Sequence, residues 1–407
     1  MFTLRYPATI VVLLACLQVL SATYFLDIPS FYAIDSFIFL LSGLGIAVVV
    51  INISSRSVEV KHLVNTQLLL KIVIVALLLP VSYELARHIM DATPLDYHDA
   101  DMLPIMRTMG QRFWSGQWHE VYQPIPEIWN GIKPIYLPAL WLPFSLSIIF
   151  HFDIRWITVC GIWLSMLLCL LPKWKLKWTS ILLVLALITL LAWLHTDDDN
   201  SVIELSEEGV VFFYYALLIT AIFLHHPWLL GVSIGLCLLS RYSFIGWIPF
   251  AILFFLIRKE YRFLIKTGLT ALTVVLVLVL PFGVNPLLDH LHIHSEYISH
   301  ATRVWHDNPE FYYEDLGMAK FFGPDHVQLL HYILEAGTFV LPLVFLFCLR
   351  KRISTHPNIL LAGLQLSLTF FYNFLDVTYL YLYYTPVVVS LVIASWTLYR
   401  GQGQVSA

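Results

Sequence analysis

Apolar runs recur from one end of the chain to the other, with shorter polar or charged connections between them. A helix needs roughly 17 to 25 mostly apolar residues to cross about 30 Å of hydrocarbon. We therefore expect an all-α polytopic membrane protein of about twelve transmembrane helices, which forms one integral-membrane domain over residues 1–407. The expected spans lie near residues 6–25, 35–53, 66–88, 155–172, 178–194, 209–224, 228–240, 244–257, 266–283, 328–349, 357–375 and 379–398.

Basic residues in the connections predict which side of the membrane each connection faces. By the positive-inside rule, short connections rich in Lys and Arg are cytoplasmic. Four connections qualify: Arg56 with Lys61; Lys173, Lys175 and Lys177; Arg258, Lys259, Arg262 and Lys266; and Arg350, Lys351 and Arg352. Both termini are then cytoplasmic, and residues 89–134, 195–208 and 284–327 face outward together. The first and last of these outer connections are long, and loops of that length are usually functional.

The segment 135–150 is apolar enough to resemble a further span. With a full crossing there, the basic connections at Lys173 and Arg258 could not both face the cytoplasm unless later helices were merged. Pro134 directly precedes the segment, and Pro138 and Pro143 interrupt it; proline breaks helices because it lacks an N–H donor and clashes with the preceding turn. We therefore expect a broken, interfacial or re-entrant element, which extends the first outer loop to residues 89–150.

An amphipathic helix is expected directly after Asp101. Apolar side chains recur there at spacings of three and four with polar side chains between them, which is typical of a helix that lies in the membrane interface. The apolar positions are Met102, Ile105, Met109 and Phe113, and the helix should end at Ser115-Gly116. Asp101 stands at or near the N-cap, where aspartate is favoured for capping alone. Its position by itself therefore does not require chemistry.

Charged side chains at the outer ends of the expected spans suggest chemistry. Asp99 and Asp101 adjoin the third span, and carboxylates there can serve as a general base or as metal ligands. Lys133 and Arg241 suit a phosphate held at the level of the lipid headgroups. Arg241 interrupts an apolar stretch at an outward-facing turn. It could simply snorkel to the interface, but basic side chains among membrane helices are functional candidates by default.

Two further groups of side chains could hold a divalent cation. Asp197, Asp198 and Glu207 lie in the acidic second outer connection. In the third outer connection, His292 and His294 belong to an alternating histidine pattern, which would place them on one face of an extended strand and could bind a metal. The spacing matches no strong zinc signature, and a solvated histidine-rich loop is the alternative. A divalent cation is accordingly the cofactor that these residues suggest.

Composition excludes several classes of function. With 59% hydrophobic and 12% charged residues, no segment remains for a large soluble domain, and a net charge of −4 without a basic tail gives no reason to expect nucleic acid. All five cysteines lie in apolar runs, which argues against disulfides and cysteine metal sites. The absence of a GK[ST] phosphate loop excludes ATP-driven transport by this chain itself. The N-terminal apolar run fits an uncleaved first span better than a signal peptide.

The first outer loop resembles that of the GT-C superfamily of integral-membrane glycosyltransferases, which includes bacterial mannosyl-, arabinosyl- and aminoarabinosyl-transferases. Asp101 stands at the start of the loop, and the helix that follows runs to WSGQW at Trp114–Trp118. Tyr122 and the proline-rich KPIYLPALWLPF that begins at Lys133 complete the pattern. The resemblance covers the topology and roughly residues 90–260. It implies an enzyme that takes a sugar from a polyprenyl-phosphate carrier.

The implied reaction is inverting transfer of that sugar to a hydroxyl of a glycan, lipid or protein acceptor, on the extracytoplasmic side of the cytoplasmic membrane. Asp101 would be the general base, with Asp99 as its alternative or helper, and Lys133, Arg241 and Arg107 would contact the donor phosphate. The acceptor or a divalent cation would bind at Asp197, Asp198, Glu207, His292 or His294. Three alternatives stay open: an O-antigen polymerase or ligase type of enzyme, a transporter or flippase of lipid-linked sugars, and a purely structural role. Membrane lipids are expected partners in every case.

Overall fold

The computed structural model describes residues 6–53, 66–98, 101–174, 177–195, 202–283 and 294–401. Within these residues the regular structure is helical, apart from one isolated bridge between Ile125 and Ile132. The α-helices are α1 (Pro7–Leu20), α2 (Tyr32–Val50), α3 (Thr66–Ala92), α4 (Met102–Trp114), α5 (Pro138–Trp141), α6 (Leu146–Phe150), α7 (Trp156–Leu170), α8 (Trp178–Trp193), α9 (Val202–Leu205), α10 (Glu208–Leu224), α11 (Pro227–Leu238), α12 (Trp247–Ile257), α13 (Tyr261–Val279), α14 (His294–Asp307), α15 (Glu310–Tyr313), α16 (Val327–Leu349), α17 (Ile359–Asn373) and α18 (Leu380–Gly401).

Six helical stretches in the described part of the chain are long and apolar enough to cross a membrane. They are Pro7–Phe25, Pro29–Val50, Val73–Ala92, Tyr261–Phe282, Pro324–Arg352 and Leu380–Arg400. Shorter apolar helices lie at Pro138–Phe150, Trp156–Leu170, Trp178–Trp193, Glu208–Leu224, Pro227–Leu238, Tyr242–Ile257 and Ile359–Asn373. The described residues are thus all-helical, apart from the isolated bridge, and the apolar helices confirm the expected polytopic membrane protein, with six rather than twelve of them long enough to span by this criterion.

Burial separates the inner helices from the peripheral ones. Within the stretch Leu380–Arg400, which covers most of α18, 89% of the 18-residue apolar segment is buried inside the protein. Within Tyr261–Phe282, which contains α13, only 17% of such a segment is buried. α10 and α17 are also buried along most of their length. Leu77 on α3, Leu269 on α13 and Phe347 on α16 are exposed. Exposed apolar side chains on such long helices are suited to contact with lipid.

Two glycines let α7 and α10 approach each other closely. A Cβ at Gly161 would collide with the backbone of Gly209, and a Cβ at Gly209 would collide with the backbone of Thr158. Small residues allow this kind of close helix contact in membrane proteins. Thr158 Oγ1 also donates a hydrogen bond to the Ser206 carbonyl at 2.7 Å. These contacts fix the start of α10 against α7.

The amphipathic helix expected after Asp101 is present as α4, and it ends at Ser115 as expected. Its buried face consists of Leu103, Ile105, Met106, Met109 and Gly110. Gly116 follows with φ +81°, a left-handed conformation that glycine adopts without steric cost. The chain can therefore turn sharply away from the end of α4.

The proline-rich segment forms one short helical stretch, Pro138–Phe150, in which a 3-10 turn interrupts the regular α-helix. Pro138 begins the four-residue helix α5, and Pro143 begins a separate 3-10 turn that leads into the five-residue helix α6. α4 packs against this element: the Trp114 indole donates to the Ser145 carbonyl at 3.1 Å. Gly110 faces Ser145 so closely that a Cβ there would lie 3.1 Å from its Cα.

The expectation of an extended histidine strand is wrong at His294, which begins helix α14. Ala301 and Trp305 on α14 are both buried, and their spacing of four residues matches the period of a helix rather than that of a strand. The burial of this helical face accounts for the conformation. His292 lies outside the described residues.

Candidate functional site

Asp101 precedes α4 without capping it through its side chain. Its backbone carbonyl accepts the hydrogen bond of the Ile105 amide at 2.9 Å, but its side chain makes no capping hydrogen bond to α4. The carboxylate instead accepts a hydrogen bond from the side chain of Trp129. The turn that carries Trp129 is closed by a hydrogen bond from the Ile125 amide to the Ile132 carbonyl at 2.9 Å. Capping therefore does not account for the aspartate at this position.

Arg241 joins two buried glutamates. Its Nη2 donates to Glu207 Oε1 at 2.6 Å and also to Glu208 Oε1. Both glutamate side chains are fully buried, whereas the Arg241 side chain keeps 20% exposure. Thr385 Oγ1 donates to Glu208 Oε2 at 2.7 Å. Within the described residues, Glu207 Oε2 is buried without a hydrogen-bond partner.

The carboxylates of Asp101 and Glu207 share one electrostatic environment. Burial raises the pKa of Asp101, the hydrogen bond from Trp129 opposes that shift, and the negative charge of Glu207 adds to it. A carboxylate becomes a stronger proton acceptor as the pKa of its acid rises. Asp101 comes from the first predicted outer connection and Glu207 from the second. The fold thus brings the two connections together.

Tyr136 and Tyr297 border these charges. Burial, followed by the nearby negative charges of Glu207 and Asp101, raises the pKa of Tyr136. Tyr297 on α14 is also close to Arg241, and burial is the main cause of its raised pKa. Both phenols therefore stay neutral and can donate or accept hydrogen bonds. Because Tyr297 lies in the third predicted outer connection, all three connections contribute to the same place.

Two more tyrosines come from the start of α18. The rings of Tyr379 and Tyr381 stack with centroids 5.6 Å apart. Tyr381 Oη donates to Met102 Sδ on α4 at 3.1 Å, and Tyr379 lies close to the Asp101 carboxylate. We call the whole group the polar centre; its members are Asp101, Tyr136, Glu207, Glu208, Arg241, Tyr297, Tyr379 and Tyr381.

The polar centre combines acidic side chains, phenol hydroxyls and aromatic faces. Ionised carboxylates accept hydrogen bonds from hydroxyl groups, and tyrosine hydroxyls can both donate and accept. Aromatic rings add apolar surface next to these polar atoms. Such a combination suits a ligand that carries many hydroxyl groups.

The remaining residues predicted from the sequence lie elsewhere. Lys133 is exposed on the connection that leads to Tyr136, three residues before that tyrosine. Arg107 lines a separate cleft of about 570 Å³ together with Gln111 and His151. Asp99, Asp197, Asp198 and His292 lie outside the described residues, and His294 begins α14.

Sequence reasoning missed a second group of buried charges beside the polar centre. His331 Nδ1 and Asp376 Oδ2 lie 2.5 Å apart, and Asp376 is close to Tyr297. Asp315 and Lys320 form another buried pair at 3.9 Å, and burial raises the pKa of Asp315 to about 6. A signal was available for Asp376, because it interrupts an apolar stretch between two expected spans.

No group of three or more His, Cys, Asp or Glu side chains that could hold a metal ion occurs in the described part of the chain. Comparisons of the chain with protein-family models, with curated proteins and with solved structures found no match. The resemblance to GT-C enzymes therefore rests on the residues of the first outer loop that carry it.

Proposed function

We propose that this protein transfers a sugar from a polyprenyl-phosphate carrier to an acceptor hydroxyl, with inversion at the anomeric carbon. The observation that carries the proposal is the set of interactions of the Asp101 carboxylate. It makes no cap for α4; it accepts a hydrogen bond from Trp129 and interacts electrostatically with Glu207, Tyr136 and Tyr379. This is where a general base would meet a polyhydroxylated ligand.

In the proposed reaction, the Asp101 carboxylate takes the proton of the acceptor hydroxyl. The acceptor oxygen attacks the anomeric carbon from the face opposite the carrier phosphate. The bond between that carbon and the phosphate oxygen breaks, and polyprenyl phosphate leaves with the bonding electron pair. One bond forms and one breaks in a single displacement, which inverts the configuration. The raised pKa of Asp101 favours this role, since a base works best when its pKa approaches the operating pH.

The cations of the centre have different roles in this mechanism. Two glutamates already bind the Arg241 guanidinium, so we assign to Arg241 the positioning of Glu207 beside Asp101. We assign to Lys133 the contact with the leaving phosphate, because it is exposed on the connection that reaches Tyr136. A positive charge at that oxygen stabilises the developing negative charge, an effect on the order of 3 kcal/mol for one such contact.

The proposal includes a topology: twelve crossings of the cytoplasmic membrane, both termini in the cytoplasm, and the polar centre on the extracytoplasmic side. The basic connections and the convergence of the three outer connections support it. In a variant without the native cysteines, Ser115→Cys and Glu310→Cys should react with a membrane-impermeant maleimide in intact cells. Lys259→Cys should react only after permeabilisation. Labelling of Lys259→Cys in intact cells would overturn the topology.

The test of the function is carrier release. Purified protein is incubated with a panel of polyprenyl-phosphate sugars and candidate acceptors, and free polyprenyl phosphate is measured. Release that depends on acceptor supports glycosyl transfer. A flippase would move the lipid-linked sugar across vesicle membranes without release, and a polymerase or ligase would use only oligosaccharide donors. Either result would replace the proposed activity.

A further inference from the structure

The cleft at Arg107 lies between α4 and the broken proline-rich element and has a volume of about 570 Å³. That volume falls within the range of about 300 to 1,000 Å³ that is usual for small-molecule sites. Its polar wall includes Arg107 and Gln111 from α4, and Ser147, His151 and Asp153 from α6 and the chain after it. The cleft therefore offers several hydrogen-bonding groups at one place.

Helix geometry separates this cleft from the polar centre. Met102 on α4 contacts Tyr381, a member of the polar centre. Arg107 and Gln111 follow Met102 by five and nine positions. At 3.6 residues per turn, they lie about 140° and 180° around the helix axis from Met102. The cleft and the polar centre thus lie on opposite sides of α4.

The charge balance of the cleft is positive. Asp153 is bound by the buried Arg155 through two side-chain hydrogen bonds, Nε to Oδ1 at 3.0 Å and Nη2 to Oδ2 at 2.7 Å, and through the Arg155 backbone amide at 2.9 Å. Arg155 also donates to the carbonyls of Thr93 at 2.7 Å and Met90 at 2.9 Å, which fixes it in place. The Asp153 charge is thereby neutralised. The exposed guanidinium of Arg107 leaves the cleft with a net positive charge.

An exposed apolar ridge flanks the same cleft. Leu146, Ile149 and Phe150 on α6 have exposed fractions of 41%, 41% and 68%. Ile148 of the same helix lines the cleft itself. A ligand with a charged head and an apolar chain could place its head at Arg107 and its chain along this ridge.

We propose that the cleft binds a membrane lipid through the phosphate of its headgroup, at a site distinct from the polar centre. Arg107 supplies a charge-assisted hydrogen bond to the phosphate, and Gln111 supplies a neutral donor. Basic pockets between membrane helices bind lipid phosphates in this way. The inference does not depend on the glycosyl transfer proposed above.

Native mass spectrometry of the full chain in detergent tests this proposal. The lipids added are phosphatidylglycerol, polyprenyl phosphate, and a diacylglycerol that has the same acyl chains but no phosphate. We expect one phosphate-headed lipid to bind, and Arg107→Gln to weaken its binding about tenfold, the loss typical of one charge-assisted hydrogen bond. Arg107→Lys should keep most of the binding. Gln111→Glu adds a negative charge to the wall of the cleft and should weaken lipid binding more than Arg107→Gln does.

Arg87→Gln is the matched control, because Arg87 is exposed near the end of α3 and pairs with Asp91 at 3.5 Å. It should bind lipid like the unaltered protein. The relative affinity for phosphatidylglycerol and polyprenyl phosphate identifies which lipid occupies the site. Equal binding of diacylglycerol, equal binding by Arg107→Gln, or displacement of the lipid by inorganic phosphate alone would overturn the proposal.

Discussion

Replacing Asp101 with asparagine separates a proton-accepting role from a structural one. The amide oxygen of Asn can still accept the hydrogen bond from Trp129, but the side chain cannot take a proton. Because the Asp101 side chain makes no capping hydrogen bond to α4, the change removes no cap. If Asp101 is the base, we expect turnover to fall by about 10² to 10⁴. At 1.36 kcal/mol per factor of ten, the barrier rises by about 3 to 5 kcal/mol.

The same substitution should not destabilise the protein. Burial raises the pKa of Asp101 in the folded state above the ordinary value of about 3.9 for aspartate. Between these two values the folded state binds more protons than the unfolded chain, so the free energy of unfolding falls as the pH rises through this window. Asparagine carries no such ionisation. Asp101→Asn should therefore be at least as stable as the unaltered protein at neutral pH.

Two measurements check this prediction: carrier release from a polyprenyl-phosphate sugar, and unfolding in detergent between pH 4 and neutral pH. Asp91→Asn is the control, since the Asp91 side chain is 72% exposed and pairs with Arg87; its turnover should be unchanged. Asp99→Asn and the double variant with Asp101→Asn show which carboxylate carries the role. Near-normal turnover in both single variants and the double variant would refute the mechanism.

Three further predictions concern other parts of the site and fold. Arg241→Gln leaves two buried glutamates without their cation and should lower the free energy of unfolding by about 3 to 5 kcal/mol; an unchanged denaturation midpoint would contradict the pairing. Gly209→Ala forces a Cβ against the backbone of α7 and should cost about 1 to 3 kcal/mol, whereas Gly268→Ala, with nothing within 4 Å, should be neutral in the same denaturation experiment. Lys133→Ala should lower kcat/KM for the lipid-linked donor about 10²-fold without changing stability; unchanged kinetics would place the phosphate elsewhere.

The elements of the first outer loop were predictable because their signals are local. Apolar spacing and the Ser115-Gly116 stop fix the bounds of α4 within one residue, and Pro138 and Pro143 begin separate short elements. The prediction of a strand at His294 was wrong because the alternating histidines cover only a few residues, whereas a longer segment with helical spacing of its buried side chains follows them. Where a strand-like and a helix-like pattern overlap, the conformation that buries one apolar face of the segment is the one adopted.

The pairing of Arg241 with Glu207 and Glu208 was not predicted, although each part of its signal was present. α10 and α11 are joined by a short turn at His225 and His226. In an antiparallel helix pair, residues at similar distances from the turn lie side by side, and Glu208 and Arg241 meet this condition. The positions of Tyr136, Tyr297 and Tyr381 had no such signal, because they depend on contacts between elements far apart in the sequence.

The charges of the polar centre favour a positively charged transition state over a bound anion. Among the described residues, Glu207 and Glu208 both bind the guanidinium of Arg241, and the carboxylate of Asp101 interacts electrostatically with Glu207. Burying such a group is costly, and in membrane proteins buried ionisable residues are usually kept for function. Sugar transfer passes through an oxocarbenium-like state in which positive charge develops at the anomeric carbon. Negative charge beside the anomeric carbon stabilises this oxocarbenium-like state. The leaving phosphate, by contrast, needs a cation that the acidic side chains of the polar centre do not already bind. Under the proposed mechanism, this division places the sugar at Asp101 and Glu207 and the phosphate toward Lys133.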